Sequence, residues 1–316
     1  YELIDQSDLT VVTKSKNINE NLSEFNIKNI TVPLGEIKIQ RKIKSLLIIF
    51  RSFTNENKLL SQNKKRIFEK EKSEYTFRSI KSLRRSAEEL KKKFPNIFIK
   101  FTIIDIGSPQ SDVDKILSFF PKEFETKLIS LNPNKLKFLP KTINKNNKEI
   151  ENNMSTTMAT IHESFNLAKN CKDLVYFVED DYIHKTEALT EMIFSYEKFS
   201  SVFRKELILL STDYPYLYKK LENSNIVLGE NYHWRTVKES LLTFMTSKKV
   251  IEKYFDKLID MATNESNPFE KNLHKIYEIE KCLSPIPSLS VHCTNINSVF
   301  GLSPNVDLKK LWDENK

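Results

Sequence analysis

The chain has 316 residues, 39% hydrophobic and 29% charged, which is ample for the core of one large or two ordinary domains. No apolar run approaches the roughly 18 residues of a membrane span or builds a signal-peptide core, and four glycines (Gly35, Gly107, Gly229, Gly301) exclude both the GxGxxG and the Walker loops by count. The net charge of +8 rests on lysines interspersed with acids and asparagines, with no compact basic tract among aromatics, so nucleic acid is not expected as a partner.

What remains of the charge is a weak pull toward an anionic membrane surface or a phosphorylated substrate. Cys171, Cys282 and Cys293 are odd in number and lack metal-type spacing, so they read as isolated thiols in a reducing compartment. The expected location is cytoplasmic, at most peripheral at a membrane surface.

Residues 1–40 are polar, weakly periodic, and read as an N-terminal extension. The apolar run at 45–50 predicts a buried strand, followed by a polar loop over 51–57. Over 64–93, Tyr75, Ile80, Leu83, Ala87 and Leu90 mark one helical face, and Pro95 ends it. A second strand over 97–104 closes on Asp105; a helix over 111–120 and a third strand over 127–131 follow. Residues 140–153, rich in Asn and Lys, predict a mobile loop. A helix over 155–170 places Met158, Ile161, Phe165 and Ala168 on one face.

The fourth strand, 174–178, ends in three consecutive carboxylates, Glu179, Asp180 and Asp181. Three acids at the end of an apolar strand repel one another and lose hydration, so a cation is the natural compensation. Side chains alternate along a strand, which turns Glu179 and Asp181 one way and Asp180 the other. Hard oxygen ligands suit Mg²⁺ or Mn²⁺, ions that keep positions open for phosphates. A solvated acidic turn is the alternative; the buried strand before the cluster and the helix after it favour the metal-phosphate reading.

A helix over 186–199 and a strand over 207–210 complete an alternation that predicts a mostly parallel α/β sheet covered on both faces. Ligands of such sheets bind at the carboxyl ends of the strands, where Arg51, Asp105 and the acidic cluster converge. After Ser211 the pattern mixes: an aromatic loop from Asp213 through Tyr214, Tyr216 and Tyr218; a polar-aromatic loop His233-Trp234-Arg235; a strand over 241–245; a helix from Ser247; a helix over 268–281; and a strand over 288–291 ending at His292. The expected division is an extension over 1–40, a nucleotide-binding half over 41–211 and an acceptor-binding half over 212–316 on the same sheet.

The ordered set IIFRSF, TIIDIGS, YFVEDD and VHC, spread over 45–305, resembles GT-A glycosyltransferases of the broad family-2-like kind, which use nucleotide-diphospho-sugars. Glu179 stands where that fold's DxD motif has its first Asp. The resemblance implies a Rossmann-type GT-A fold and metal-dependent transfer, with Mn²⁺ or Mg²⁺, from a nucleotide-diphospho-sugar donor to a glycan or lipid-linked acceptor. On it, Asp181 binds the metal, Glu179 shares the metal or contacts donor hydroxyls, and His292 is a late metal ligand or diphosphate contact. Asp180, facing away, orients a basic side chain or caps the next helix; Arg51 and Asp105 hold the nucleotide. An inverting enzyme needs a base; the family places an acid at the start of a late helix, which points to Glu270, then Glu265, with Glu239 third. The family's usual Glu-Asp pair is absent, because Lys271 follows Glu270. Asp213, Tyr214 and Trp234 are the expected acceptor contacts, since aromatic faces with polar edges suit sugar rings, and Arg235 is a candidate for bidentate phosphate pairing. Two other readings are a sugar-nucleotide nucleotidyltransferase, which normally has a Gly-rich loop that FRSFTNEN lacks, and a non-catalytic glycan-binding protein on the same fold.

Overall fold

The computed structural model describes residues 39–55, 66–120, 123–132, 142–143, 149–150, 155–219, 221–264, 266–293 and 301–316, the pairs 142–143 and 149–150 by backbone alone. Nearly all of the expected extension, most of the loop expected over 140–153, and Glu265 lie outside the described residues.

The first half runs β1 (Ser45–Ser52), α1 (Lys72–Lys93), β2 (Phe98–Asp105), α2 (Gln110–Ser118), β3 (Glu125–Ser130), a short β4–β5 ladder (Thr142–Ile143 with Glu149–Ile150), α3 (Ser155–Ala168) and β6 (Leu174–Glu179). Next come β7 (Tyr182–His184), α4 (Ala188–Phe203) and β8 (Ile208–Leu210). The second half carries a 3-10 turn (Pro215–Lys219), β9 (Ile226–Leu228), β10 (His233–Val237), β11 (Phe244–Ser247), α5 (Lys248–Lys253), α6 (Phe255–Thr263), α7 (Lys271–Tyr277), β12 (Cys282–Ile286), β13 (Ser290–His292) and α8 (Leu308–Asp313).

Among the described residues, one nine-stranded sheet runs in the order β3-β2-β1-β6-β11-β8-β12-β10-β9. β3, β2, β1 and β6 are mutually parallel, as the alternation predicts. β11 enters antiparallel between β6 and β8, and the β12–β10–β9 end is antiparallel, so the second half is mixed but shares the same sheet. Consecutive residues of β1 and β6 are buried: Leu46, Ile48, Ile49 and Phe50 on one, Leu174, Val175 and Tyr176 on the other. Burial of both side-chain orientations requires helices on both faces.

Two expectations shift. The first helix starts at Lys72, not near 64, because the chain turns at Glu69, which has a left-handed φ of 51°. His233-Trp234-Arg235 is not a loop but the start of β10, paired to both β9 and β12. The predicted face of α1 is correct, with Tyr75, Ile80, Leu83, Ala87 and Leu90 fully buried.

A row of serines on α1 also fixes the chain after the acidic strand. Ser79 Oγ donates to the Tyr182 carbonyl at 2.6 Å. Ser82 and Ser86 accept from the backbone N–H groups of His184 and Leu189, each at 2.9 Å. Short hydroxyls let the helix approach closely while filling backbone groups that would otherwise be buried without partners. β7 then pairs antiparallel with β13, Tyr182 opposite His292. A smaller apolar cluster of Tyr75, Ile183, Val291, Cys293, Leu308, Leu311 and Trp312 anchors this two-stranded piece to α1 and α8. Among the described residues no helix is long and apolar enough to cross a membrane.

Candidate active site

The parallel strands β1, β2 and β6 end together. Ser52 of β1 stands opposite Asp105 of β2, and Arg51 opposite Glu179 of β6. Here the sequence leaves the apolar run and places polar groups, the usual position of a ligand site in an open α/β sheet. A cleft of about 90 Å³ opens there, lined by Arg51, Ser52, Phe53, Thr156, Thr157 and Glu179 among others.

Each acid of the cluster meets a different basic side chain. Glu179 Oε1 lies 3.1 Å from Nη2 of the buried Arg51, an ion pair without hydrogen-bond geometry. Burial pushes the Glu179 carboxyl up, against the pull of Arg51. Asp180 turns the other way, from the turn that follows the end of β6 at Glu179 rather than from the strand itself. It pairs with the buried Lys72 of α1 and accepts from Phe53 N–H at 2.9 Å and Thr76 Oγ1 at 3.1 Å. It thereby ties the β1 loop to α1. Asp181 Oδ1 lies 3.4 Å from His292 Nε2. Burial disfavours its charge, yet His292, then Lys72 and Arg66, hold the Asp181 carboxyl well below the usual range.

The β7–β13 ladder makes the Asp181–His292 encounter. The Cys293 N–H donates to the Asp181 carbonyl at 2.7 Å, and the His292 ring lies flat on Tyr182, centroids 4.5 Å apart and planes 6° off parallel. Asp105 is engaged differently: it accepts from Ser52 Oγ at 2.6 Å and from the Ser108 N–H at 3.1 Å, so it organises the β1 and β2 loops.

Two of the three candidate bases converge. Glu270 sits at the N-cap of α7, half-buried. Burial pushes its carboxyl up to about 7; Glu179 adds to the rise, while its own backbone N–H, Arg51 and His292 oppose it. That coupling places Glu270 within electrostatic reach of the acidic strand end. Glu239 and Glu270 both act on the half-buried Tyr216, whose hydroxyl burial and these two acids push far up.

The expected acceptor contacts are mostly not exposed. Tyr214 and Trp234, read from the sequence as open aromatic faces, are fully buried. The Tyr214 hydroxyl meets that of Tyr182 at 2.8 Å. Trp234 Nε1 donates to the buried Glu191 of α4 at 3.2 Å, and the same carboxylate accepts the backbone N–H groups of Glu230 and Asn231, each at 3.0 Å. Such a clamp holds Trp234 in the core. Asp213 and Arg235 pair with each other at 2.7 Å rather than standing open, and Tyr218 lies under the guanidinium at 4.1 Å.

A divalent cation fits this chemistry as a two-ligand site. Asp181 and His292 converge, and Mg²⁺ or Mn²⁺ commonly take one or two protein ligands and complete their shell with phosphates and water. Glu179 is turned to Arg51, and among the described residues no three His, Cys, Asp or Glu side chains gather around one point. Sequence reading missed Lys72, Thr76, Arg66, Thr156 and Thr157. The two threonines at the start of a helix just before the acidic strand carried a signal; the others sit on α1 or before it with none.

No family model and no curated protein matches the chain. Solved structures similar to it include the galactosyltransferase LgtC in complex with donor and acceptor sugar analogues (12% identity, 75% of this chain and 72% of that one, TM-score 0.36). Another is the inositol-1-phosphate CTP transferase from T. maritima (11%, 88% and 98%, 0.39). A third is mouse xyloside xylosyltransferase 1 in its apo form (10%, 74% and 75%, 0.35). At these identities and TM-scores the likenesses carry no argument about chemistry, and function is read from the side chains themselves.

Proposed function

We propose that the protein is a glycosyltransferase that moves a sugar from a nucleotide-diphospho-sugar to a glycan or lipid-linked acceptor, with Mn²⁺ or Mg²⁺ as cofactor. The observation that carries this reading is the joint placement of Arg51, the Glu179–Asp181 cluster and His292 at the ends of the parallel strands, within electrostatic reach of a carboxyl that titrates at about 7. Asp181 and His292 would hold the cation, which when bound supplies Lewis-acid stabilisation of charge on the departing nucleoside diphosphate. Arg51 contributes a fixed positive charge for the donor phosphates. Asp180, held by Lys72, sets the turn that presents Asp181.

Glu270 is the proposed base. A carboxylate tuned to about 7 loses its proton near neutral pH yet binds one readily, which is what deprotonating an acceptor hydroxyl needs. Burial supplies the tuning. Tyr216, beside Glu239 and Glu270, is the half-buried aromatic positioned for the acceptor.

The test is thermal shift with a nucleotide panel, with and without Mn²⁺, followed by a donor screen with products read by mass spectrometry. Mn²⁺-dependent stabilisation by nucleoside diphosphates and a glycosylated product support the reading. Stabilisation by triphosphates instead marks a nucleotidyltransferase, and no response to either marks a non-catalytic protein.

A further inference from the structure

Two arginines near the acidic cluster carry buried donors that no acceptor meets. Among the described residues, Arg51 Nη2 and Arg66 Nε and Nη1 are buried without a hydrogen-bond partner. A buried polar group left unfilled is costly, more so when charged, and each one in a native fold calls for an explanation, a bound ligand or ion among them.

Arg66 is held firmly. Its guanidinium carbon lies 5.1 Å from the centroid of the Tyr75 ring. The Tyr75 hydroxyl accepts the Phe68 N–H at 3.0 Å. Phe68 stacks on Trp312 of α8 at 4.2 Å, and Tyr75 packs against the same indole at 4.8 Å. Arg78 of α1 covers that indole at 4.3 Å and donates to the Trp312 carbonyl at 2.5 Å. Residues 66–68 are thus pinned by α1 and α8, and the positive charge of Arg66 reaches Asp181.

We propose that Arg66 binds a phosphate group of the ligand of this site, and that Tyr75 and α8 hold it in position to do so. The inference rests on the diphosphate-bearing donor proposed above. Arginine suits phosphate because it is planar, permanently charged, and carries donors along its edges that match phosphate oxygens. Arg51 stands beside Glu179, and Arg66 acts on Asp181, so each arginine serves a different acid of the cluster.

Calorimetry with pyrophosphate and no added metal tests the site without requiring sugar transfer. The wild-type protein binds it; Arg66→Gln weakens binding by about tenfold or more, the worth of one charge-assisted contact, and Arg66→Lys retains part of the affinity. Tyr75→Phe, which removes only the hydroxyl that holds Phe68, weakens binding by a smaller factor. Arg66→Lys separates this role from a structural one, since it keeps the charge that offsets Asp181 while losing the guanidinium's paired edge donors. Unaltered pyrophosphate affinity in Arg66→Gln, or no pyrophosphate binding by the wild type, would each overturn the assignment. Pyrophosphate binding through Arg66 in a protein that transfers no sugar from any donor would leave Arg66 assigned and remove the transferase reading instead.

Discussion

Glu270→Gln should make the protein more stable and less active at the same time. In the fold the Glu270 carboxyl titrates at about 7, against 4.5 for an ordinary glutamate. A raised acid pKa means that the native state holds the proton more tightly than the unfolded chain. Stability from this group is therefore greatest below about pH 4.5, falls as pH rises toward 7, and is level above. At about 1.4 kcal/mol per pKa unit, the ionised side chain costs the native state up to roughly 3 kcal/mol at pH 8.5. Glu270 is half-buried, so solvent takes a share, and about 2–3 kcal/mol is the effect to look for. Urea unfolding of wild type and Glu270→Gln at pH 4 and pH 8.5 reads it: the variant gains relative to wild type by that amount between the two pH values. Turnover moves the opposite way. Gln cannot accept the proton, so kcat falls by about 10² or more while donor binding stays nearly unchanged. The acidic limb of the wild-type kcat/KM profile, near pH 7, disappears from the residual activity. Near-normal turnover would eliminate Glu270 and shift the role to Glu239 or Glu265. A stability difference independent of pH would show that burial does not tune this carboxyl.

Asp181→Asn keeps the shape of the turn and removes one charged ligand; it should abolish Mn²⁺-dependent binding of nucleoside diphosphates in calorimetry while the circular dichroism spectrum stays native. Lys72→Met breaks the buried pair with Asp180 and leaves a desolvated carboxylate facing α1, so the urea unfolding free energy should drop by about 3–5 kcal/mol; a loss under about 1 kcal/mol would mean that Phe53 N–H and Thr76 alone carry Asp180. Gly229→Ala places a Cβ 2.2 Å from Glu191 Oε1 and 2.6 Å from Trp234 Nε1, and should cost about 1–3 kcal/mol by overpacking, read as a lowered Tm; an unchanged Tm would show that the Glu191 clamp yields freely.

What was legible in the sequence followed from local pattern. The runs that became β1, β2 and β6 are apolar, short and separated by helical periodicity, so the parallel half and its strand ends could be read directly. Alternation anticipated that Asp180 faces away from Glu179, although β6 ends at Glu179 and Asp180 and Asp181 lie in the turn that follows. What was not legible depends on partners distant in the chain. Lys72 meets Asp180 across 108 positions, and Tyr182 pairs with His292 through a ladder of only three residues per strand, too short to announce itself. Trp234 looked open because its flanks are polar; Glu191, 43 positions earlier, closes it.

The same distant pairings change the meaning of the acidic cluster. Read as sequence, three adjacent carboxylates make a cation the natural compensation, with a solvated acidic turn as the alternative. In the fold the protein already supplies a basic partner to each: Arg51 to Glu179, Lys72 to Asp180 and His292 to Asp181. Basic side chains therefore offset part of the cluster's charge, although burial still pushes the Glu179 carboxyl up. A metal would bind for what it does to phosphate, at Asp181 and His292. To serve as a ligand, His292 would have to be neutral. On the proposed reading, donor phosphates arriving with the ion would bring the negative charge that Arg51 could receive, and the site would serve the metal-donor pair rather than the metal alone.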